Sequence, residues 1–85
     1  MIAVTTKNGV SVRLDADYDL STMMVEYTVS CNGTRFMFPD FKQAACVYKT
    51  LSARVENGEN VTFAIRNFVK AARLFGNSVI TKEAV

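Results

Sequence analysis

The strongest constraint on the fold is a run of alternating apolar and polar residues that ends at Asn32-Gly33. Every second position of residues 23–31 is apolar, which is typical of a strand with one buried face. Asn-Gly is the dipeptide that two-residue type I′ hairpin turns prefer. Such a turn pairs Val29 with Phe36, so apolar side chains collect on one face. The sequence therefore predicts an antiparallel hairpin that packs against a core.

A second hairpin is predicted around Asn8-Gly9, where two registers compete. A two-residue turn pairs Val4 with Arg13. A three-residue loop with Gly9 in the left-handed conformation instead pairs Val4 with Val12. The longer loop sets apolar residues against apolar residues, so we expect that register.

A helix is predicted directly after Pro39. Asp40 suits the N-cap position and Gln43 lies three residues later, as in a capping box. The following apolar residues share one helical stripe and predict a helix that covers the sheet: Phe41, Ala44, Ala45, Tyr48, Leu51, Ser52 and Val55. Asn57-Gly58 is expected to end it.

The segment after Gly58 allows two interpretations. Apolar residues alternate over 61–65, as in a strand, yet the whole of 61–75 also fits helical spacing. We favour a strand over 61–66 and a helix over 68–75 that begins at the N-cap Asn67. Gly76 is expected to end that helix.

These elements predict one α+β domain over residues 1–85. It would hold a small antiparallel sheet of four to five strands, with two N-terminal hairpins and an edge strand over Ser78–Thr81. One long and one shorter helix would pack on one face of the sheet. At 85 residues with 49% hydrophobic content, such a chain forms a modest core, and a homodimer would enlarge it.

The chain contains no histidine. This excludes Ser-His-Asp and Cys-His catalysis and the usual zinc sites, so we expect neither an enzyme nor a cofactor. No secretory signal is recognised, and no apolar run approaches a membrane span. The expected location is cytoplasmic, without membrane contact.

The two cysteines are interpreted as structural thiols. Cys31 belongs to the core face of its strand, whereas Cys46 lies opposite the apolar stripe of its helix. Lys42 and Lys49 flank Cys46 at i−4 and i+3, and nearby ammonium groups make a thiol more reactive. No histidine and no Cys-x-x-Cys spacing supports redox or nucleophilic chemistry at Cys46.

An acidic cluster resembles part of a calcium-binding loop. When residue 15 is counted as position 1, ligand positions 1, 3, 5 and 12 hold Asp15, Asp17, Asp19 and Glu26. Position 6 needs glycine but holds Leu20, and the flanking segments are predicted strands. We therefore favour an acidic connection between strands over a metal site.

The segment from Asn60 to Lys82 has four basic residues and no acidic residue. In a single helix, Arg66, Lys70 and Arg73 share a face about 60° wide. Cations at this spacing suit a phosphate backbone. A nucleic-acid-binding module is therefore the alternative function.

The favoured function is a small non-catalytic protein that binds another protein. Met24 and Met37 point away from the apolar side of the predicted hairpin, as does Arg35, and exposed methionines favour adaptable protein contacts. These three residues are the expected partner-binding set. Small free-standing proteins of this kind often serve as inhibitors or accessory factors encoded by phages or other mobile elements.

Overall fold

The structure, a computed structural model, describes residues 2–74 and the backbone of residues 78–81. Its elements follow one another as β1 (Ala3–Lys7), β2 (Val10–Asp19), β3 (Met24–Cys31), β4 (Thr34–Phe38), α1 (Phe41–Glu56), α2 (Thr62–Leu74) and β5 (Ser78–Thr81). The strands form one antiparallel sheet in chain order, and both helices pack on the same face of it. The predicted α+β architecture is confirmed, including the edge strand.

The β3–β4 hairpin has the predicted register. Asn32 and Gly33 both have positive φ angles, of 49° and 76°, as a type I′ turn requires. Val29 lies opposite Phe36, and both side chains are fully buried. The turn and the apolar pattern here specify the same pairing.

The expected register of the β1–β2 hairpin is wrong. Asn8 and Gly9 have φ angles of 53° and 79° and form a two-residue turn, so Val4 lies opposite Arg13. The type I′ turn matches the twist of the strands, and this preference outweighs apolar pairing. The partner of Val12 is Thr5, whose hydroxyl is hydrogen-bonded to the Tyr48 hydroxyl of α1 at 2.8 Å.

Helix α1 begins and ends as predicted. The Asp40 carboxylate accepts a hydrogen bond from the Lys42 backbone N–H at 3.1 Å, and Asn57 caps the C-terminus. Its buried face differs in part from the predicted stripe, since it consists of Ala44, Val47, Leu51, Ser52 and Val55. Phe41 was expected in the core but is 44% exposed, because it lies in the first turn, at the margin of the covered sheet.

The core lies between the sheet and the two helices. Phe36 stacks on Phe38 within β4, and Phe68 of α2 meets the Phe36 ring edge to face at a centroid distance of 6.2 Å. Cys31 lies in the same buried cluster, as predicted. Aromatic contacts therefore attach α2 to β4.

Residues 62–74 form one helix, so the favoured strand over 61–66 is wrong. The Asn60 side-chain oxygen accepts a hydrogen bond from the Thr62 N–H at 2.8 Å, and the Ile65 N–H donates to the Val61 carbonyl at 2.9 Å. Both bonds start a helix several residues before the expected N-cap at Asn67. With this helix, Val61, Ile65 and Ala72 are buried, whereas Phe63 is exposed. The expected end at Gly76 lies outside the described residues.

Replacement of Asn60, whose side chain accepts from the first N–H of α2, tests this helix start. We expect Asn60→Ala to lower the free energy of unfolding by about 1 kcal/mol, because the Thr62 N–H loses its acceptor. Chemical denaturation followed by circular dichroism measures this change. Asn67→Ala is the matched control and should be neutral or slightly stabilising, since alanine is the better helix former in a helix interior. The opposite ranking would support a helix that begins at Asn67.

Candidate functional site

Two strands extend beyond the rest of the sheet. β1 pairs with β2 only as far as Leu14, and β4 pairs with β3 only as far as Tyr27. β2 and β3 continue to pair with each other up to Asp19 opposite Met24. Residues 17–26, called the ribbon here, are therefore two-stranded, with no described strand on either side. The molecule accordingly measures 38 Å in its longest dimension and 25 Å in the other two.

The ribbon carries half of the exposed large apolar side chains of the described chain. Leu20 is 80% exposed and Met23 70% exposed. The set, called the ribbon patch, comprises Tyr18, Leu20, Met23, Met24 and Val25. Helix α1 leaves it uncovered, because the helix begins at Phe41, whose ring contacts Tyr27 edge to face at 5.3 Å.

The ribbon patch is held in a defined shape at the tip. The Asp19 carboxylate accepts hydrogen bonds from the Ser21 hydroxyl at 2.6 Å and the Ser21 N–H at 2.9 Å. The Met23 N–H donates to the Asp19 carbonyl at 2.7 Å. Met23 has a φ angle of 59°, which is unfavourable for a residue of this kind. The hydrogen bonds from Ser21 lower the pKa of the Asp19 carboxyl below its usual value.

The face of the ribbon that carries Met24 is acidic, whereas Tyr18 and Val25 lie on the face that continues the helix-covered side of the sheet. Asp17 lies directly across from Glu26, and like charges at such positions destabilise a strand pair. Asp15 makes an ion pair with Arg13 at 3.1 Å.

The sequence candidates for calcium ligands do not converge. Asp15, Asp17 and Asp19 follow one another along the same face of β2, about 6.6 Å apart. Among the described residues, no three His, Cys, Asp or Glu side chains are grouped so that they could hold a metal ion. The first three candidate ligands thus lie along the extended strand β2, and Glu26 lies on its neighbour β3.

The partner-binding set expected from the sequence lies on one face of the sheet but is spread along it. Arg35 is exposed and lies two residues from the half-buried Met37 on β4, whereas Met24 lies at the ribbon end. Met37 is opposite Thr28, four residues from Met24 and therefore about 13 Å away along β3. Of the three, only Met24 belongs to the ribbon patch.

Helix α2 displays the three cations that the sequence singled out. Arg66, Lys70 and Arg73 are all exposed on its outer side, and no described acidic residue forms an ion pair with them. Phe63 is 73% exposed on the same side. A cavity of about 370 Å³ adjoins these residues and reaches Thr34 of β4. Lys82, the fourth cation of the acid-free segment, lies outside the described residues.

The two thiols occupy different environments. Cys31 is buried, and burial raises the pKa of its thiol. Cys46 is exposed and borders a cavity of about 260 Å³ between the two helices, which is lined by Phe38, Gln43, Cys46, Val47, Phe68, Ala71 and Ala72. Except for Gln43 and Cys46, that lining is apolar.

This difference predicts selective thiol labelling. We expect one thiol per folded chain to react rapidly with an aromatic disulfide reagent, because Cys46 is exposed and Cys31 is neither accessible nor readily deprotonated. Absorbance of the released thiolate measures the stoichiometry. Cys46→Ser should abolish the rapid phase, and unfolding in denaturant should release both thiols from the wild-type chain. Rapid labelling of two thiols in the folded chain would contradict the buried position of Cys31.

The tip hydrogen bonds predict a pH dependence. The lowered pKa of Asp19 means that the charged form stabilises the tip above the usual aspartate pKa of about 3.9, and that this contribution is lost as the pH falls through the lower, folded value. Ser21→Ala should raise the pKa of Asp19 toward the usual value. Side-chain carboxyl chemical shifts measured by NMR against pH report this change. Ser11→Ala, at the far end of β2, should leave it unaltered.

The comparisons with known proteins contribute no identification. No protein-family model, no curated protein and no solved structure matches this chain. Neither described helix has the length and apolar character that crossing a membrane requires. Functional inference therefore rests on the surfaces described above.

Proposed function

We propose that this chain is a non-catalytic binding protein that inserts the ribbon patch into an apolar site on another protein. The observation that carries the proposal is the concentration of exposed apolar side chains on a ribbon with no described covering element. Clustered exposed apolar side chains mark interaction sites in soluble proteins. Isolated two-stranded ribbons are marginally stable in water, so a partner would also stabilise this one.

The composition of the ribbon patch suits a protein partner. Two methionines adapt to irregular surfaces, and Tyr18 combines a large apolar ring with a hydroxyl that donates to the Met23 sulfur at 3.4 Å. Burial of a large apolar side chain contributes about 1.5–3 kcal/mol. The patch residues are 40–80% exposed, so their combined burial supplies on the order of 5 kcal/mol or more before the costs of association.

Occupation of a partner's surface is how inhibitors and accessory factors act. We therefore propose such a role for this protein, in the cytoplasm, with an origin in a phage or another mobile element. Because the proposed mechanism is the burial of side chains, it requires neither a catalytic group nor a cofactor.

Substitutions at the tip test the proposed binding surface. Leu20→Ser with Met23→Asn removes the two most exposed patch residues, and asparagine tolerates a positive φ angle. We expect this double variant to lose a protein that the wild-type chain captures from nuclease-treated lysate of its source organism. Its melting temperature should stay near the wild-type value, because both side chains are exposed. Quantitative pull-down with mass spectrometry measures the loss.

Matched controls locate the interface. Ile2→Thr with Val4→Thr removes apolar side chains of intermediate exposure, 49% and 47%, from the uncovered face of the sheet and should retain the partner. Arg35→Ala with Met37→Thr tests the two β4 residues of the partner-binding set expected from the sequence. This variant should also retain the partner. Loss with either control but not with the tip variant contradicts the ribbon patch. A wild-type chain that only dimerises through the ribbon and captures no other protein also contradicts the proposal.

A further inference from the structure

We propose that the exposed side of α2 binds single-stranded nucleic acid, with phosphates on its three cations and a base stacked on Phe63. This surface lies on a different element from the ribbon patch, and the inference does not depend on the function proposed there. Compared with the basic segment predicted from the sequence, the proposed site adds an aromatic ring for base stacking and a preference for unpaired strands.

The charge on this side of α2 is uncompensated within the described chain. The sequence from Asn60 to Lys82 contains no acidic residue. The nearest preceding acid, Glu59, forms an ion pair with Arg54 at 3.4 Å. An anionic polymer would therefore meet a local field of one sign, which is the condition for phosphate binding and counterion release.

The helix arranges the four side chains in two rows. Phe63 and Lys70 are seven residues apart, as are Arg66 and Arg73, so each pair is nearly in line along the helix axis and separated by about 10.5 Å. The rows are about 60° apart around the helix at 100° per residue. A strand that runs along the axis would contact cations on one side while a base reaches the aromatic ring.

The exposed aromatic ring favours a single strand over a duplex. Phe63 is 73% exposed, and an aromatic ring can stack only on bases that have left their own stack. The cavity of about 370 Å³ that Phe63 shares with Arg66, Lys70 and Arg73 lies in the size range of ligand clefts. A splayed base could enter this recess, whereas the bases of a duplex remain inside its two backbones.

Fluorescence anisotropy with a labelled 15-nucleotide strand of mixed sequence tests the proposal. DNA and RNA versions of the strand show which of the two nucleic acids is bound. The matching duplexes show whether a single strand is preferred. We expect at least one single strand to bind at least tenfold more tightly than its duplex. Three phosphate contacts predict that log Kd rises with log salt concentration with a slope of about 2.

Variants assign the roles of the side chains. Phe63→Ala should weaken single-strand binding by about tenfold or more, because stacking on one base is lost. The triple change Arg66→Ala, Lys70→Ala, Arg73→Ala should weaken it further and remove most of the salt dependence. Two controls should stay within twofold of wild type: Leu74→Ala for an exposed apolar side chain of α2, and Lys42→Ala with Lys49→Ala for cations on α1. Circular dichroism confirms that each variant is folded.

Several outcomes would overturn the proposal. These are no binding to either single strand at low salt, a duplex bound as tightly as its single strand, or a Phe63→Ala variant with wild-type affinity. An equal loss from the α1 cation control and the α2 triple variant would indicate non-specific charge attraction and would also overturn it. The ribbon variant Leu20→Ser with Met23→Asn should bind the strand normally, so failure of either proposal can be distinguished from failure of the other.

Discussion

Two Asn-Gly turns set the register of the β1–β2 and β3–β4 pairs, on which the core and both faces of the sheet depend. Each turn has two consecutive positive φ angles, a conformation that matches the twist of antiparallel strands. A shift of one residue at either turn would move every side chain of a strand to the opposite face. The positions of Val12, Val29 and Phe36 in the core, and of Arg13 and Arg35 outside it, follow from these turns.

Unequal strand length then produces the exposed end of the sheet. β2 has ten residues, whereas β1 and β4 have five each, so the middle hairpin outgrows its neighbours. Helix α1 covers the sheet only from Phe41 onward. The apolar–polar alternation of the ribbon continues beyond the part of the sheet that any described element covers. The apolar face that serves as core beneath α1 is therefore exposed surface at the ribbon.

Agreement between sequence and structure is closest where independent local signals coincide. The β3–β4 pairing combined a turn dipeptide with strict alternation, and α1 had both a capping residue and a terminating Asn-Gly. The β1–β2 register was wrong because turn geometry and apolar pairing conflicted there, and the turn prevailed. The predicted start of α2 was wrong because Val61 and Ile65 fit two patterns. With Phe63 they have a period of two, and with the apolar residues that follow they have a period of 3.6.

The two candidate surfaces likewise differ in how far they could be predicted from the sequence. Arg66, Lys70 and Arg73 could be chosen from sequence because their spacing places them together in a single helix. The ribbon patch could not, because the exposure of Tyr18 and Val25 depends on where β1, β4 and α1 stop. The one sequence signal of the ribbon patch is that the apolar–polar alternation of β2 and β3 is longer than that of the neighbouring strands.

The facing carboxylates of Asp17 and Glu26 have a consequence for self-association. A bare two-stranded ribbon offers backbone donors and acceptors at its edges, and these are templates for uncontrolled strand addition. Two ribbons paired edge to edge, with these faces on the same side, would bring four such carboxylates close together, which charge repulsion opposes. The same pair that weakens the isolated ribbon therefore opposes pairing with a second ribbon.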